Sequence, residues 1–223
     1  MNKTCIKEIF TSIQGEGLYV GERQIFVRFC RCNLNCKYCD TVFKKDKNSL
    51  LYTPQELAKE LLHNEVKSVS LTGGEPLMET EFLLEFLPLI KKHKKIHLET
   101  NGTLTSQLSC VIDNIDVVAA DIKLQSATKQ KNQFFINDEF MSVAKKKECC
   151  IKVVFDENIE KEEISQVVKI AKKHDLPVIL QPLMNKNKLN SDIKKLISIF
   201  DIFYTLYPNT RLIPQTHKFL KVM

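Results

Sequence analysis

The chain has 223 residues, 43% of them hydrophobic and 27% charged, with a net charge of +6. That length favours one domain over residues 1–223, and the composition excludes collagen-like, low-complexity and disordered classes. No run approaches the roughly 20 apolar residues that cross a bilayer and no signal-peptide pattern opens the chain, so a cytoplasmic protein without membrane contact is expected.

Taken in chain order, short apolar runs alternate with helical patterns. Residues 25–29 read as a strand. Thr53, Pro54 and Glu56 open a helix to about residue 63, with Thr as cap, Pro at the first turn and Glu closing the capping box. Residues 66–71 form a strand that ends at Thr72-Gly73-Gly74-Glu75-Pro76. A helix over about 79–93 places Phe82, Phe86, Leu89 and Ile90 on one face, with Pro88 as a site for a bend. Strands follow at 96–99, 117–120, 150–155, 178–180 and 211–213, and helices at 106–113, 159–174 and 191–204. Residues 123–147 carry the weakest pattern and fit a variable lid or interface loop.

Strand–helix alternation implies a parallel sheet with helical crossovers. The fold class expected is α/β: a partial, open (β/α) barrel of about six parallel strands, shorter than a full (β/α)8 barrel. Ligands of such sheets lie beyond the carboxyl ends of the strands. The polar motifs fall there, after Phe29, Leu71, Leu98 and Ala120. The lysine runs at 91–95 and 145–147 read as solvated surface, so no direct nucleic-acid contact is expected.

Eight cysteines are present, and in a reducing compartment they are not expected to form disulfides. Cys5, Cys110, Cys149 and Cys150 read as small buried hydrophobes. Cys32, Cys36 and Cys39 have C-x3-C-x2-C spacing. Three thiolates hold a cubane cluster with one iron left open to a ligand. The competing reading is a structural zinc, with Cys30 as fourth ligand, although such sites usually show paired short spacings.

The cysteine spacing, with Tyr38 before the third cysteine, resembles the signature of the radical S-adenosylmethionine (radical SAM) enzymes. So does Thr72-Gly73-Gly74-Glu75-Pro76 at a strand end. The resemblance implies a [4Fe–4S] cluster on Cys32, Cys36 and Cys39 in a loop spanning residues 30–48. It also implies S-adenosylmethionine at Gly74, Glu75, Glu99, Asp121, Ile122, Lys123 and Gln181. Ile13-Gln14-Gly15-Glu16-Gly17, Arg28, Asp40-Thr41, Leu180-Gln181-Pro182 and Pro214-Gln215-Thr216-His217 narrow it. Together they resemble the 7-carboxy-7-deazaguanine synthase family along nearly the whole chain. That family converts 6-carboxy-5,6,7,8-tetrahydropterin to 7-carboxy-7-deazaguanine with loss of ammonia, toward queuosine and other deazapurines.

The resemblance implies a pterin substrate held by Ile13, Gln14, Gly15, Glu16, Arg28, Thr72 and His217, with residues 1–24 as a substrate-binding segment. It implies Mg²⁺ at Thr41 and Asp40, an electron donor such as a flavodoxin or ferredoxin, and a homodimer. No protein acid or base is assigned. Chemically, Arg28 suits a carboxylate through two parallel bonds, and few protein ligands suit Mg²⁺, which keeps its waters. Asp121-Ile122-Lys123 departs from the Ser-Pro-Lys of some members. It also resembles a motif of the glycyl-radical activating enzymes, which stand as the alternative.

Overall fold

A computed structural model describes residues 2–39, 49–185 and 187–222. Its strands are β1 (Thr4–Ile13), β2 (Arg23–Phe29), β3 (Leu50–Tyr52), β4 (Ser68–Gly73), β5 (Lys95–Thr100), β6 (Val117–Asp121), β7 (Glu148–Phe155), β8 (Val178–Pro182), β9 (Met184–Asn185), β10 (Lys188–Leu189) and β11 (Thr210–Leu212). The helices are α1 (Pro54–His63), α2 (Thr80–Ile90), α3 (Thr105–Val111), α4 (Gln125–Thr128), α5 (Phe134–Ala144), α6 (Lys161–His174), α7 (Ile193–Leu206) and α8 (Thr216–Leu220).

Nine strands form one sheet in the order β11-β8-β7-β6-β5-β4-β2-β1-β3. All pairs from β2 to β11 are parallel. β1 joins β2 and β3 antiparallel. The order ends at β11 and β3, so the barrel is open, as expected for the fold class.

The strands alternate sharply between two faces, because successive side chains leave a strand in opposite directions. Ile25, Val27, Phe29, Val69, Leu71, Ile96, Leu98, Val118, Ala120, Ile151, Val153 and Leu180 join the core beneath the helices. Phe26, Ala119 and Val154 share the alternate face with Gln24, Ser70, His97, Glu99, Asp121, Lys152 and Gln181, whose polar groups enrich the barrel interior. Most of these are buried, so they require partners. Residues 13–24 run across this interior, with Gln14 bonded to both Gln24 and Glu99.

The helices bury one face each. α1 carries the capping box read from its sequence, with the Thr53 side chain accepting from Glu56 N and Glu56 accepting from Thr53 N. α2 buries Phe82, Leu83, Phe86, Leu87 and Ile90, whereas Leu89 is exposed, which corrects its placement on the core face. The weakly patterned stretch 123–147 contains α4 and α5, so it is not a structureless loop.

Three further expectations are corrected. The antiparallel register that pairs Ile6 with Phe29 brings Cys5 beside Cys30, and the two are joined by a disulfide. Cys110 is exposed, because it sits on the outer face of α3. The 91–95 lysines are not merely solvated. Lys94 is buried and donates to the carbonyls of Asn64 and Val66, Lys91 pairs with Asp116, and Lys95 reaches the Tyr19 hydroxyl.

Candidate functional site

A cavity of about 630 Å³ opens at the carboxyl ends of the parallel strands, within the range of small-molecule sites. Its lining includes Cys32, Cys36 and Cys39 together with Ile13, Gln14, Gly15, Glu16, Arg28, Thr72, Gly74, Glu99, Asp121, Lys123, Gln181 and His217. Residues from seven chain segments therefore meet in one place. Asp40 and Thr41, read as the Mg²⁺ position, lie outside the described residues, as does the 40–48 part of the cluster loop.

The cysteine loop leaves β2 and is clamped on both sides. Asn33 accepts from Asn101 Nδ2 (2.8 Å) and donates to Thr103 Oγ1 (3.0 Å). Lys37 N donates to Thr128 O in α4 (3.0 Å). Leu34 N donates to Cys32 Sγ at 3.4 Å, a bond that also favours a thiolate. Burial raises the Cys32 thiol and pushes Cys36 up to about 11, so metal binding by these thiols would release protons. Among the described residues, no three His, Cys, Asp or Glu side chains gather as a single-ion site. The three thiols line one wall of a wider cavity instead.

The Gly73-Gly74 turn lies against this loop. Gly74 N donates to Phe29 O (3.0 Å) and Glu75 N to Arg31 O (2.7 Å). A Cβ on Gly74 would lie 1.8 Å from Arg31 O, so only glycine permits the approach. The Glu75 side chain is a correction. It is fully buried and accepts from Leu77 N, Thr100 Oγ1 and Asn101 N. It ties the turn to β5 and does not face the cavity. Ile122 is corrected likewise: its side chain packs in the core while its amide donates to Lys152 O.

Two groups of polar residues divide the cavity. In the first, Gln14 Nε2 donates to Glu99 Oε1 (2.7 Å), and Ser70 and Thr72 hydroxyls donate to the same carboxylate at 3.2 and 2.9 Å. Glu99 is thus bonded to residues read as substrate-side. Glu16 N donates to Gln14 Oε1 (3.1 Å). Gly15 O accepts from Thr216 N (3.0 Å), which seats the C-terminal segment over the cavity. A Cβ on Gly15 would meet His217 Nδ1 at 2.3 Å. Arg28 donates Nε to Glu8 (2.6 Å) and lies 5.7 Å from the Phe10 ring centre, so the residue is already oriented at the rim.

In the second group, Lys123 Nζ donates to Asp121 Oδ2 (2.8 Å) and to Tyr38 OH in the cysteine loop (3.0 Å). Burial alone would lower the Lys123 pKa, but Asp121 and Tyr38 outweigh it and hold the ammonium charged. Asp121 Oδ1 and Gln181 Oε1 are buried without a hydrogen-bond partner among the described residues. Buried acceptors are rarely left unpaired. Two such acceptors, at the cavity with the cysteines, fit a ligand that brings its own donors, as the ammonium and ribose of S-adenosylmethionine would.

Lys152 joins the two groups and escaped the sequence reading. It sits on β7 in an otherwise apolar run, Cys150-Ile151-Lys152-Val153-Val154-Phe155. A single charge at an inward position of a buried strand was the available signal. Gln24, Ser70 and His97 show the same period-two pattern and were missed for the same reason.

Residues 26–198 match the family model described as the radical SAM superfamily. The chain is 30% identical to the 7-carboxy-7-deazaguanine synthase of Geobacter sulfurreducens, over 96% of each chain. It is 32% identical to that of Archaeoglobus fulgidus, over 96% of this chain and 97% of the relative. Among solved structures it resembles QueE from Escherichia coli, with a TM-score of 0.68 at 19% identity, covering 96% of this chain and 95% of that one.

Proposed function

Because the chain belongs to the radical SAM superfamily and, within it, to the 7-carboxy-7-deazaguanine synthases, we infer that the cavity at the strand ends is its active site. The protein is a radical SAM lyase of the queuosine pathway, converting 6-carboxy-5,6,7,8-tetrahydropterin to 7-carboxy-7-deazaguanine with loss of ammonia. The observation that carries this is the single cavity shared by the three cysteines and by Gln14-Gly15-Glu16, Arg28 and His217.

When bound, the [4Fe–4S] cluster and S-adenosylmethionine supply the one-electron radical chemistry that abstracts a substrate hydrogen. Cys32, Cys36 and Cys39 hold the cluster. Gly74, Asp121, Lys123 and Gln181 hold S-adenosylmethionine: the glycine by close approach, the lysine toward the carboxylate, the two unpaired oxygens toward donors. Glu75 fixes the turn, and Ile122 packs in the core behind this wall.

On the substrate side, Arg28 takes the pterin carboxylate through paired bonds. The 13–15 segment forms the pterin wall, with the Gln14 side chain held in place by Gln24 and Glu99, and Glu16 accepts from the pterin amino groups. Thr72 and His217 complete that wall. The bonding of Glu99 to Gln14 and Thr72 supports assigning it to this side rather than to S-adenosylmethionine. Thr41, with Asp40, would hold Mg²⁺. The electron donor is a flavodoxin or ferredoxin, and the working form is a cytoplasmic homodimer. Residues 1–24 belong to the same single domain and serve the substrate. No helix among the described residues is long and apolar enough to cross a membrane.

The test is anaerobic turnover with reductant, S-adenosylmethionine, Mg²⁺ and the carboxytetrahydropterin. Deazaguanine is the expected product. Reductive cleavage of S-adenosylmethionine without deazaguanine would reject this substrate, keep the radical assignment and favour an activating enzyme. Iron content with absorbance near 400 nm should disappear in Cys36→Ala.

A further inference from the structure

Lys152 of β7 carries an almost wholly buried charge where it lines the cavity. Its ammonium reaches Glu16 Oε2 at 2.5 Å and Asp121 Oδ2 at 3.4 Å. Its side chain is 11% exposed. A charge so placed is retained only where partners compensate its lost hydration. The partners here come from two different walls. Glu16 is held on its other oxygen by Gln215 Nε2 (2.8 Å), from the C-terminal segment. Asp121 is held by Lys123, which continues to Tyr38 of the cysteine loop. One unbroken chain of contacts thus runs Gln215–Glu16–Lys152–Asp121–Lys123–Tyr38, from the substrate-side cap to the cluster loop.

Packing of the fold does not require a lysine at this point. Its strand neighbours Ile151 and Val153 make the core contacts on the opposite face. Lys152 and Val154 look into the cavity instead. What the lysine adds is a fixed positive charge between two carboxylates that would otherwise repel each other.

We propose that Lys152 is a positioning residue of this enzyme: it holds Glu16 toward the pterin and Asp121 toward S-adenosylmethionine, so that one side chain sets the two ligands in register. This rests on the function inferred above and deepens it. Lys152 touches neither reacting atom and acts through the two carboxylates. Removing it frees Glu16 to swing with the C-terminal segment and leaves Asp121 to Lys123 alone.

The experiment uses cluster-loaded protein and measures the dissociation constant of each ligand by calorimetry without reductant, followed by turnover. Lys152→Met should weaken both the carboxytetrahydropterin and S-adenosylmethionine at least tenfold. Glu16→Gln should weaken the pterin alone. The double variant Glu16→Gln with Lys152→Met should bind pterin no more weakly than Glu16→Gln, because Lys152 reaches the pterin only through Glu16. Its S-adenosylmethionine affinity should stay at the Lys152→Met level.

A further tenfold loss of pterin affinity in the double variant would overturn the proposal, as would unchanged affinities in Lys152→Met. Should Lys152→Met fail to load its cluster, the charge-balanced double variant compared with Glu16→Gln makes the same decision. If wild-type protein binds S-adenosylmethionine but not the pterin, the inferred function fails. The role of Lys152 at Asp121 is then still judged by the S-adenosylmethionine arm.

Discussion

Glu75 has no exposed surface, and burial pushes its pKa up to about 7 against the bonds it accepts from Asn101, Thr100 and Leu77. Its ordinary value is 4.5. A carboxyl raised on folding binds more protons in the folded than in the unfolded chain between those values. Its share of stability is therefore complete below pH 4.5 and declines as pH rises through 7. The share is roughly 3 kcal/mol. Glu75→Gln should flatten the stability–pH curve in that window, followed by denaturant unfolding; an unchanged slope would assign the dependence elsewhere. Glu16 is the opposite case. Burial would raise it, but Lys152 and Gln215 hold it down at about 2, so it is ionised throughout the working range. Arg28→Ala should raise the KM for the pterin roughly 10- to 100-fold, the loss of a charged hydrogen-bonded pair, while uncoupled S-adenosylmethionine cleavage persists. Loss of both activities would make Arg28 structural.

At the scale of elements, the segment after β1 and the start of α8 are seated against each other with no spare volume. Gly15→Ala would place its methyl 2.6 Å from His217 N and 2.3 Å from the ring nitrogen, and the backbone contact cannot simply rotate away. The variant should weaken pterin binding at least tenfold while leaving the cluster spectrum unchanged; altered iron content would contradict this. α1 offers a stability test with no functional content: Thr53→Ala removes a complete capping box and should cost about 1 kcal/mol in chemical denaturation. The helix was legible because its cap, proline and glutamate are adjacent in sequence. β1 was not, because its alternation mixes Glu8, Thr11 and Ser12 with Ile9, Phe10 and Ile13. α5 was missed because its apolar residues do not form one clean stripe: Phe135 is exposed while Asn137 is buried on Gly102 O.

For the whole molecule, the sheet places its core side chains toward the helices and most of its polar ones toward the barrel interior, beside Phe26, Ala119 and Val154. The C-terminal segment closes this interior through bonds to Gly15 and Glu16 rather than through core packing, since α8 buries no side chain. Removing residues 214–223 should therefore leave the thermal midpoint nearly unchanged and weaken pterin binding by more than tenfold. A large fall in the midpoint would show that the segment is part of the core.

The sequence alone determined the architecture, the cysteine loop, the glycine turn and the family, because each is written in short spacings or local propensities that survive without a fold. It also determined which residues meet, insofar as the motifs fall at strand ends. The tertiary structure decided what those residues face. Glu75 turned inward, Glu99 joined Gln14, Cys5 met Cys30 and Lys152 stood between two carboxylates, because strand register and side-chain direction are set by pairing between segments distant in the chain.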